Sequence, residues 1–397
     1  MTDHAIDAAR LQNPLDERSK FLNRGTRFLV VLVWPLIWVG GLVTTYDAGM
    51  SVPDWPGTYG YNLFLYPYES WFFGPFDLFI EHGHRLLAAF VGLVAIFVFG
   101  ASLRREPRSW VRWLCGGVLT MVIAQGLLGG LRVVFSERLL AMVHGCFGQA
   151  FFGLCVFAAI VTGRWWLGQQ RDPRPQSDSE TGVWGSGRTS FVQADSAETS
   201  KCPGPSTANA STAAEPSKPR SRPGRTWWAL AVFAVLLAYM QVVLGAVLRH
   251  GSPSTTPGAF AHTVALHVAG AITLWLLSLG LAARGFFHRR SDLAWPGYAL
   301  AGIVTLQTLL GTGTWVVHYG FPELLSWVPG SESFIVDAKG FIDSIIVTAH
   351  VAMGALILGL ALALAVRITV VRRRGGDLTI GRGRFEVDNL ATTDTLT

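Results

Sequence analysis

The sequence predicts an all-α integral membrane protein whose eight transmembrane helices form two pseudo-repeated four-helix bundles joined by a disordered cytoplasmic linker. Half of the 397 residues are hydrophobic and only 15% are charged, with a mean hydropathy of +0.38, which exceeds what soluble domains show. Apolar runs recur that are long enough for a bilayer core of about 30 Å, which takes about 20 helical residues. A long polar stretch separates these runs into two groups.

The apolar runs define the predicted spans in order. The hydrocarbon region holds no water, so each backbone must satisfy its own polar groups, and the runs are expected to be helices. The predicted spans cover 28–45, 80–103, 110–131, 139–163, 227–248, 260–283, 296–317 and 342–366.

The polar stretch at residues 167–225 is rich in Ser, Pro, Gly, Thr and Ala and has almost no periodic hydrophobic residues. This composition predicts a disordered linker. The predicted divisions are an N-terminal tail at 1–27, an N-terminal bundle at 28–166, the linker at 167–225, a C-terminal bundle at 226–366 and a C-terminal tail at 367–397.

The distribution of basic residues predicts the orientation. If the N-terminus is inside, 27 of the 32 Lys and Arg residues fall on the cytoplasmic side, so both termini are expected there. The net charge of +6 then reflects topology, and no nucleic-acid partner is expected. Acidic residues within 1–27 argue against a mitochondrial transit peptide, and no cleavable signal precedes the first span, so we expect a bacterial inner membrane.

One histidine lies near the start of every second span. Histidine is rare in membrane helices, and its recurrence at one depth predicts metal or cofactor ligation, although a lone buried histidine can be merely hydrogen-bonded. Haem iron accepts imidazole between facing helices of a bundle. We therefore predict two haem sites toward the outer side, one per half, with pairing across the halves as the alternative. The four candidate iron ligands are His84, His144, His267 and His350.

A repeated motif supports two related halves. The pattern Q-x-x-L-G occurs in spans three, five and seven, and a histidine-bearing span follows each copy. An internal repeat is the simplest explanation, and we expect the motif glycines to serve helix packing. The copies are Gln125–Gly129, Gln241–Gly245 and Gln307–Gly311.

The segment Glu81-His-Gly-His84-Arg85 is the densest group of chemically active side chains. Its i,i+3 spacing places Glu81 and His84 on one helix face. Glu81 is a candidate catalytic carboxylate beside a bound macrocycle, with stabilisation of the helix N-terminus as the alternative. Arg85, and with it Arg132 and Arg249, are candidates to bind haem propionates, with interfacial anchoring as the alternative.

These motifs resemble the haem A synthase family of bacterial membranes, which includes a mitochondrial counterpart. Glu81-x-x-His84-Arg85 resembles the family's E-x-x-H-R motif, and the loop that begins at Ser51 resembles its S-C-P-D-W-P-x-C-x-G motif. Val52 and Thr58 stand where many relatives carry a cysteine pair, so no disulfide is expected in this loop.

The resemblance implies an oxidoreductase of haem A biosynthesis, and hence of cytochrome oxidase assembly, that oxidises the C8 methyl of haem O through a hydroxymethyl to a formyl group. It implies that His84 and His144 bracket the substrate haem O and that His267 and His350 ligate a resident haem b. It also implies that Glu81 lies near the reacting methyl, as a proton acceptor or a stabiliser of positive charge. Membrane lipid is an expected partner, a haem O synthase or a second copy is a candidate partner, and the electron acceptor is left open.

Two other functional classes are compatible with the same residues. A diheme electron-transfer protein would use the four histidines only as axial ligands and leave haem chemistry unchanged. A transporter or haem chaperone would exploit the repeated halves, but such proteins usually carry broken helices and charged residues at mid-membrane. The nearly uncharged span centres disfavour this last class.

Overall fold

The fold comes from a computed structural model that describes residues 14–170, 223–251, 254–288, 291–323, 326–336 and 340–391. Most of the predicted linker at 167–225 therefore lies outside the described residues, as do the first 13 and the last six residues of the chain. Within the described residues the structure contains no β-strand, and an isolated bridge joins Thr58 to Tyr61. The predicted all-α class is confirmed.

Ten α-helices and one short 3₁₀ turn make up the described fold. The turn covers Ala48–Met50. The helices are α1 (Pro14–Thr45), α2 (Tyr68–Phe72), α3 (Phe76–Arg105), α4 (Ser109–Phe135), α5 (Arg138–Val161), α6 (Arg164–Gln170), α7 (Arg225–Arg249), α8 (Pro257–Phe287), α9 (Ser291–Tyr319) and α10 (Phe341–Ala391).

Eight of these helices are long and apolar enough to cross a membrane, namely all except α2 and α6. Each corresponds to one predicted span, and most extend beyond it by a turn or more. The extension has a simple cause: intrahelical hydrogen bonds continue past the apolar run, whereas hydropathy marks only the part within hydrocarbon. The chain is a multi-pass membrane protein.

The membrane helices form two rings of four. In the first ring α1, α3, α4 and α5 each pack on their neighbours, and α5 returns to α1. In the second ring α7, α8, α9 and α10 pack in the same way. Helices at opposite corners of a ring have little or no backbone contact, so each ring encloses a space between its diagonal helices. The predicted pair of four-helix bundles matches this architecture.

The two rings share a packed seam formed by α1 and α5 on one side and by α7 and α10 on the other. Across it the Trp34 indole N–H donates to the carbonyl of Ala352 at 3.1 Å, and the Gln149 amide donates to that of Val351 at 3.3 Å. Hydrogen bonds between spans stabilise helix association in lipid. α10 is consequently the most buried of the membrane helices.

Candidate functional site

Every predicted ligand histidine lies on a helix at a ring corner, and its ring rests on a glycine of the preceding span. The histidines of the first ring are on α3 and α5, and those of the second are on α8 and α10, so each pair occupies opposite corners. A Cβ built on each glycine would meet the Cε1 atom of the imidazole closely. The contacts are Gly40–His84 at 2.9 Å, Gly129–His144 at 3.2 Å, Gly245–His267 at 3.5 Å and Gly311–His350 at 3.0 Å.

These contacts refine the interpretation of the repeated motif. Its glycines do serve helix packing, as expected, and what they pack against is the histidine ring. Gly40 was missed from the sequence because the first span has Leu36 where the motif has glutamine. The sequence does carry one signal for this contact: Gly40 lies in the span that precedes the span of His84, as the other glycines do for their histidines.

The motif glutamines hold the backbone of the same histidines. The Gln125 amide donates to the carbonyl of His144 at 3.1 Å, and the Gln307 amide donates to that of His350 at 2.8 Å. One helix face therefore fixes both the backbone and the ring of the histidine opposite. Gln241 departs from this pattern because its amide packs against Gly270 and has no hydrogen-bond partner among the described residues.

The structure brings His267 and His350 together inside the second ring, with ring centroids 6.3 Å apart and ring planes at 74°. A metal held by both rings through bonds of about 2 Å, with each nitrogen about 1 Å from its ring centre, would separate the centroids by about 6 Å. The observed spacing fits axial ligation of one iron. In the first ring His84 and His144 are close enough to interact electrostatically, so both pairs form within halves.

The ring nitrogens also fit ligation through Nε2. The Nδ1 atoms of all four histidines are buried and have no hydrogen-bond partner among the residues that the structure describes. The imidazoles of His84, His144 and His350 lie near the carbonyls of Leu36, Gln125 and Gln307, respectively. Each carbonyl lies one turn before the glycine that contacts the same imidazole, and the geometry falls short of a hydrogen bond. An Nδ1–H facing a carbonyl leaves Nε2 as the metal ligand.

The donor set favours a macrocycle over a bare metal ion. No group of three or more His, Cys, Asp or Glu side chains able to hold a metal occurs within the described part of the chain. A protein site for zinc takes three or four protein ligands. Haem iron needs only axial ligands from the protein, so the two-histidine sites fit haem.

Glu81 and Arg85 clamp the loop at residues 51–60 onto the N-terminal end of α3. The Glu81 carboxylate is buried, accepts the Val52 N–H at 2.9 Å and pairs with Arg85 at 2.9 Å. The Arg85 guanidinium also donates to the carbonyls of Val52, Asp54 and Gly57 at 2.8, 2.7 and 2.9 Å. The structure thus gives Arg85, predicted to bind cofactor, a role in holding the loop, and propionate binding by Arg85 stays a prediction.

Val52 and Thr58, at the two positions where relatives carry cysteine, are both fully buried. The Thr58 hydroxyl and the His82 Nδ1 lie within hydrogen-bond distance at 3.0 Å. His82 also packs against Trp71, with ring centroids 4.9 Å apart. His82 therefore faces the loop while His84 faces the ring interior, and noncovalent contacts hold the loop where a disulfide is not expected.

The loop also rests on the C-terminal end of α4. The Trp55 ring covers Gly130 so closely that a Cβ there would clash with it. The Arg132 guanidinium donates to the carbonyl of Gly49 at 3.3 Å. The first ring is thereby covered, at the end nearest His84 and His144, by residues of its own first connection.

Arg249 is an arginine near the histidine pairs that has spare hydrogen-bonding capacity among the described residues. It donates to the Gly41 carbonyl at 2.9 Å and to the Thr45 hydroxyl at 2.6 Å. Its NH1 atom is buried and has no hydrogen-bond partner. An unsatisfied buried guanidinium is expected to bind a carboxylate, so Arg249 fits a haem propionate better than Arg85 does.

Three further histidines, His250, His262 and His318, lie outside the paired sites. Burial, followed by the positive charges of Arg249, Arg132 and Arg138, lowers the pKa of His250 to about 4. The Nδ1 atoms of His262 and His318 contact carbonyls of their own helices, at 2.6 and 3.1 Å.

The cysteines form no disulfide framework within the described residues. Cys115, Cys146 and Cys155 are buried free thiols. Cys202 lies outside the described residues.

Residues 26–188 match the model of a family described as cytochrome oxidase assembly protein (COX15-CtaA). A comparison with curated proteins finds no match. The matched segment includes Glu81, His84 and His144, whereas His267 and His350 lie beyond it. Over residues 26–188 the chain is thus similar to the cytochrome oxidase assembly proteins, which confirms there the family resemblance seen in its sequence.

Proposed function

We propose that this membrane protein is a haem A synthase, which oxidises the C8 methyl of haem O through a hydroxymethyl to a formyl group. The observation that carries the proposal is the buried Glu81–Arg85 pair, with Glu81 one helical turn before a ligand candidate, His84. The family match over 26–188 covers this cluster. Cytochrome oxidase assembly, the activity that names the family, is consistent with haem A synthesis.

In the proposal, His84 and His144 bracket haem O in the first ring. The two residues lie at opposite corners of the ring with buried Nδ1 atoms, and Gly40 and Gly129 leave room for their imidazoles. The apolar, lipid-facing helices around the ring suit the farnesyl tail of haem O. The covering loop keeps water from the outer end of the site, which strengthens electrostatic interactions inside.

His267 and His350 are assigned to a resident haem b in the second ring, an assignment supported by the ring spacing of 6.3 Å. When bound, this haem supplies the one-electron redox chemistry that side chains lack. Arg249, with its unpaired buried NH1 atom, is the residue we assign to a propionate.

Glu81 is assigned to electrostatic stabilisation of positive charge that develops as the methyl is oxidised. A fixed carboxylate in a water-excluded site stabilises such charge because it needs no reorganisation during the reaction. The Val52 N–H and Arg85 hold both Glu81 oxygens, so the geometry favours a fixed charge over the alternative role of proton acceptor. Proton transfer to Glu81 would require at least one of these bonds to break.

We further propose a bacterial inner membrane as the location, with both termini cytoplasmic and the haem sites toward the outer side. The bias of Lys and Arg toward the side of the termini supports this orientation.

The test is mass detection of haems extracted from membranes that make haem O, with the wild-type chain, a Glu81→Gln variant or no added chain. We expect haem A or hydroxymethyl haem with the wild type, and a drop of about 10²–10³-fold in Glu81→Gln with both haems still bound. Glu106→Gln is the matched control, because Glu106 is a buried acid paired with Arg108 at 2.7 Å on the opposite side of the membrane. Undiminished haem A in Glu81→Gln would refute the role of Glu81.

A diheme electron-transfer protein is the second candidate, favoured by the close His267–His350 pair. It predicts co-purifying haem b and unchanged haem O in the same extraction. The appearance of a formyl or hydroxymethyl haem excludes it as the sole function.

A further inference from the structure

A cavity of about 740 Å³ lies at the side of the membrane opposite the histidines. It opens between the first half of α1, the end of α5 with α6, and the middle of α10. Five basic side chains from three separate parts of the chain line it: Lys20, Arg24, Arg27, Arg164 and Arg367. Its volume falls in the range of small-molecule sites, about 300–1,000 Å³.

Three of these five positive charges have no ion-pair partner among the described residues. No carboxylate lines it, and Arg24, Arg27 and Arg164 take part in no ion pair with any residue that the structure describes. Arg367 donates to the Asp292 carbonyl at 3.1 Å, but its Nε is buried without a partner. The excess of basic residues that orients membrane helices explains why many arginines lie at this side of the membrane. It does not explain why five basic side chains line one cavity.

The deeper walls of the cavity are apolar. Val30, Val31, Val156 and Ile160 line it toward the membrane interior. Val31 is 65% exposed, so this wall continues into the lipid-facing surface of α1. A ligand that fits both parts has an anionic head and an apolar tail.

Between the basic part and the apolar part of the cavity, a network of hydrogen bonds joins α1 to the C-terminal end of α5. The Asn23 amide donates to the Ala159 carbonyl at 2.9 Å and to the Thr162 hydroxyl at 3.1 Å. The Thr162 and Thr26 hydroxyls lie 2.9 Å apart. The cavity is therefore a built feature of the helix packing.

We propose that this cavity binds the phosphate headgroup of an anionic phospholipid, with an acyl chain along the valine and isoleucine wall. Arginine binds phosphate oxygens through forked hydrogen bonds, and basic pockets between membrane helices on the cytoplasmic side suit such headgroups. Free phosphate shares the head chemistry but gains nothing from the apolar wall. The proposal does not depend on the proposed enzymatic activity.

The test compares an Arg24→Gln/Arg27→Gln/Arg164→Gln variant of the full chain with the wild type. The matched control is Arg104→Gln/Arg112→Gln/Arg284→Gln, which removes equal charge at the same membrane side outside the cavity. Each protein is purified in mild detergent, and its phospholipids are extracted and counted. We expect the cavity variant to retain about five-fold less anionic phospholipid than the wild type and the control to match the wild type.

A second measurement identifies the source of the phosphate. Delipidated wild-type protein is melted with phosphatidylglycerol micelles, with phosphatidylcholine micelles or with inorganic phosphate, and phosphatidylglycerol alone should raise Tm. The proposal would be overturned if phosphatidylcholine stabilised the protein as much as phosphatidylglycerol does. It would also be overturned if the cavity variant and its control lost equal amounts of lipid, or if inorganic phosphate displaced the lipid. If the triple variant fails to fold, the exposed single change Arg24→Gln replaces it, with about a two-fold loss of lipid expected.

Discussion

The two rings have the same scaffold but differ next to their first histidine. In α3 this histidine has Glu81 three residues before it and Arg85 directly after it. In α8 the corresponding positions, counted from His267, are Val264 and Val268. The glycine contacts that position the histidines therefore occur in both rings, whereas the charged pair beside the first histidine occurs in the first ring alone. This contrast supports substrate chemistry in the first ring and a resident cofactor in the second.

The rings also differ in how the ends nearest their histidines are covered. The connection from α1 to α3 runs over residues 46–75 and docks on α3 and α4. The corresponding connection from α7 to α8 has only residues 250–256. The first ring thus receives a longer cover from this position in its chain than the second, which is consistent with the proposed exclusion of water from the haem O site.

Replacing the histidines should separate the two rings most clearly. We expect His267→Ala and His350→Ala to lose haem b by more than about ten-fold, because each removes one of the two ligands that the proposal assigns to this haem. His84→Ala and His144→Ala should keep haem b while conversion of haem O stops. The measurement is the reduced-minus-oxidised spectrum together with mass detection of extracted haems.

The control for this comparison is His262→Ala, an exposed histidine that contacts its own helix, and it should leave both readouts unchanged. Loss of haem b in His84→Ala equal to that in His267→Ala would contradict the division of roles between the rings.

Removing the loop clamp should have the next largest effect. In Arg85→Gln the loop loses its bonds to three carbonyls, and we expect loop amides to exchange hydrogen faster and haem A production to fall by about 10–10². Haem b in the second ring should stay at the wild-type level. The control is Arg138→Gln, because Arg138 is an exposed arginine at the N-terminal end of α5.

The same variant decides between two roles for Arg85. If Arg85→Gln leaves loop exchange slow but weakens retention of haem O, then Arg85 binds a propionate, as the sequence suggested. Fast loop exchange identifies a positioning residue.

The sequence predicted the spans well because hydropathy and length record the membrane directly. It singled out the four histidines because they are rare residues in apolar surroundings, and their role as ligands stays a prediction. The pairing of Arg85 with loop carbonyls was not predictable, since backbone acceptors carry no sequence signal. Gly40 was missed for a related reason, because without the motif glutamine its role depends on a neighbouring helix. The unpaired NH1 of Arg249 likewise depends on three-dimensional packing.

Glycines beneath the histidine rings allow a graded comparison within the second ring. A Cβ at Gly311 would lie 3.0 Å from His350, whereas one at Gly245 would lie 3.5 Å from His267. We expect Gly311→Ala to displace the ring, cost about 1–3 kcal/mol and lower haem b content, while Gly245→Ala stays near the wild type. Haem b per protein and Tm are the measurements, and equal losses in both variants would contradict a steric cause.

Acidification should act on the first ring alone and with the smallest effect. Partial burial favours a higher pKa for Asp54, but the N–H groups of Gly60 and Tyr59 outweigh it, so the pKa lies below its ordinary value. A carboxyl whose pKa is lowered by folding stabilises the loop above its unfolded pKa of about 3.9 and loses that effect as the pH falls through the folded value. Hydrogen exchange at Tyr59 and Gly60, taken relative to the intrinsic exchange rate at each pH, should therefore accelerate below about pH 4, while the spectrum of haem b changes less. In Asp54→Asn this acceleration should be present already at neutral pH, and an exchange rate that matches the wild type at every pH would show that the loop is held by the Glu81–Arg85 clamp alone.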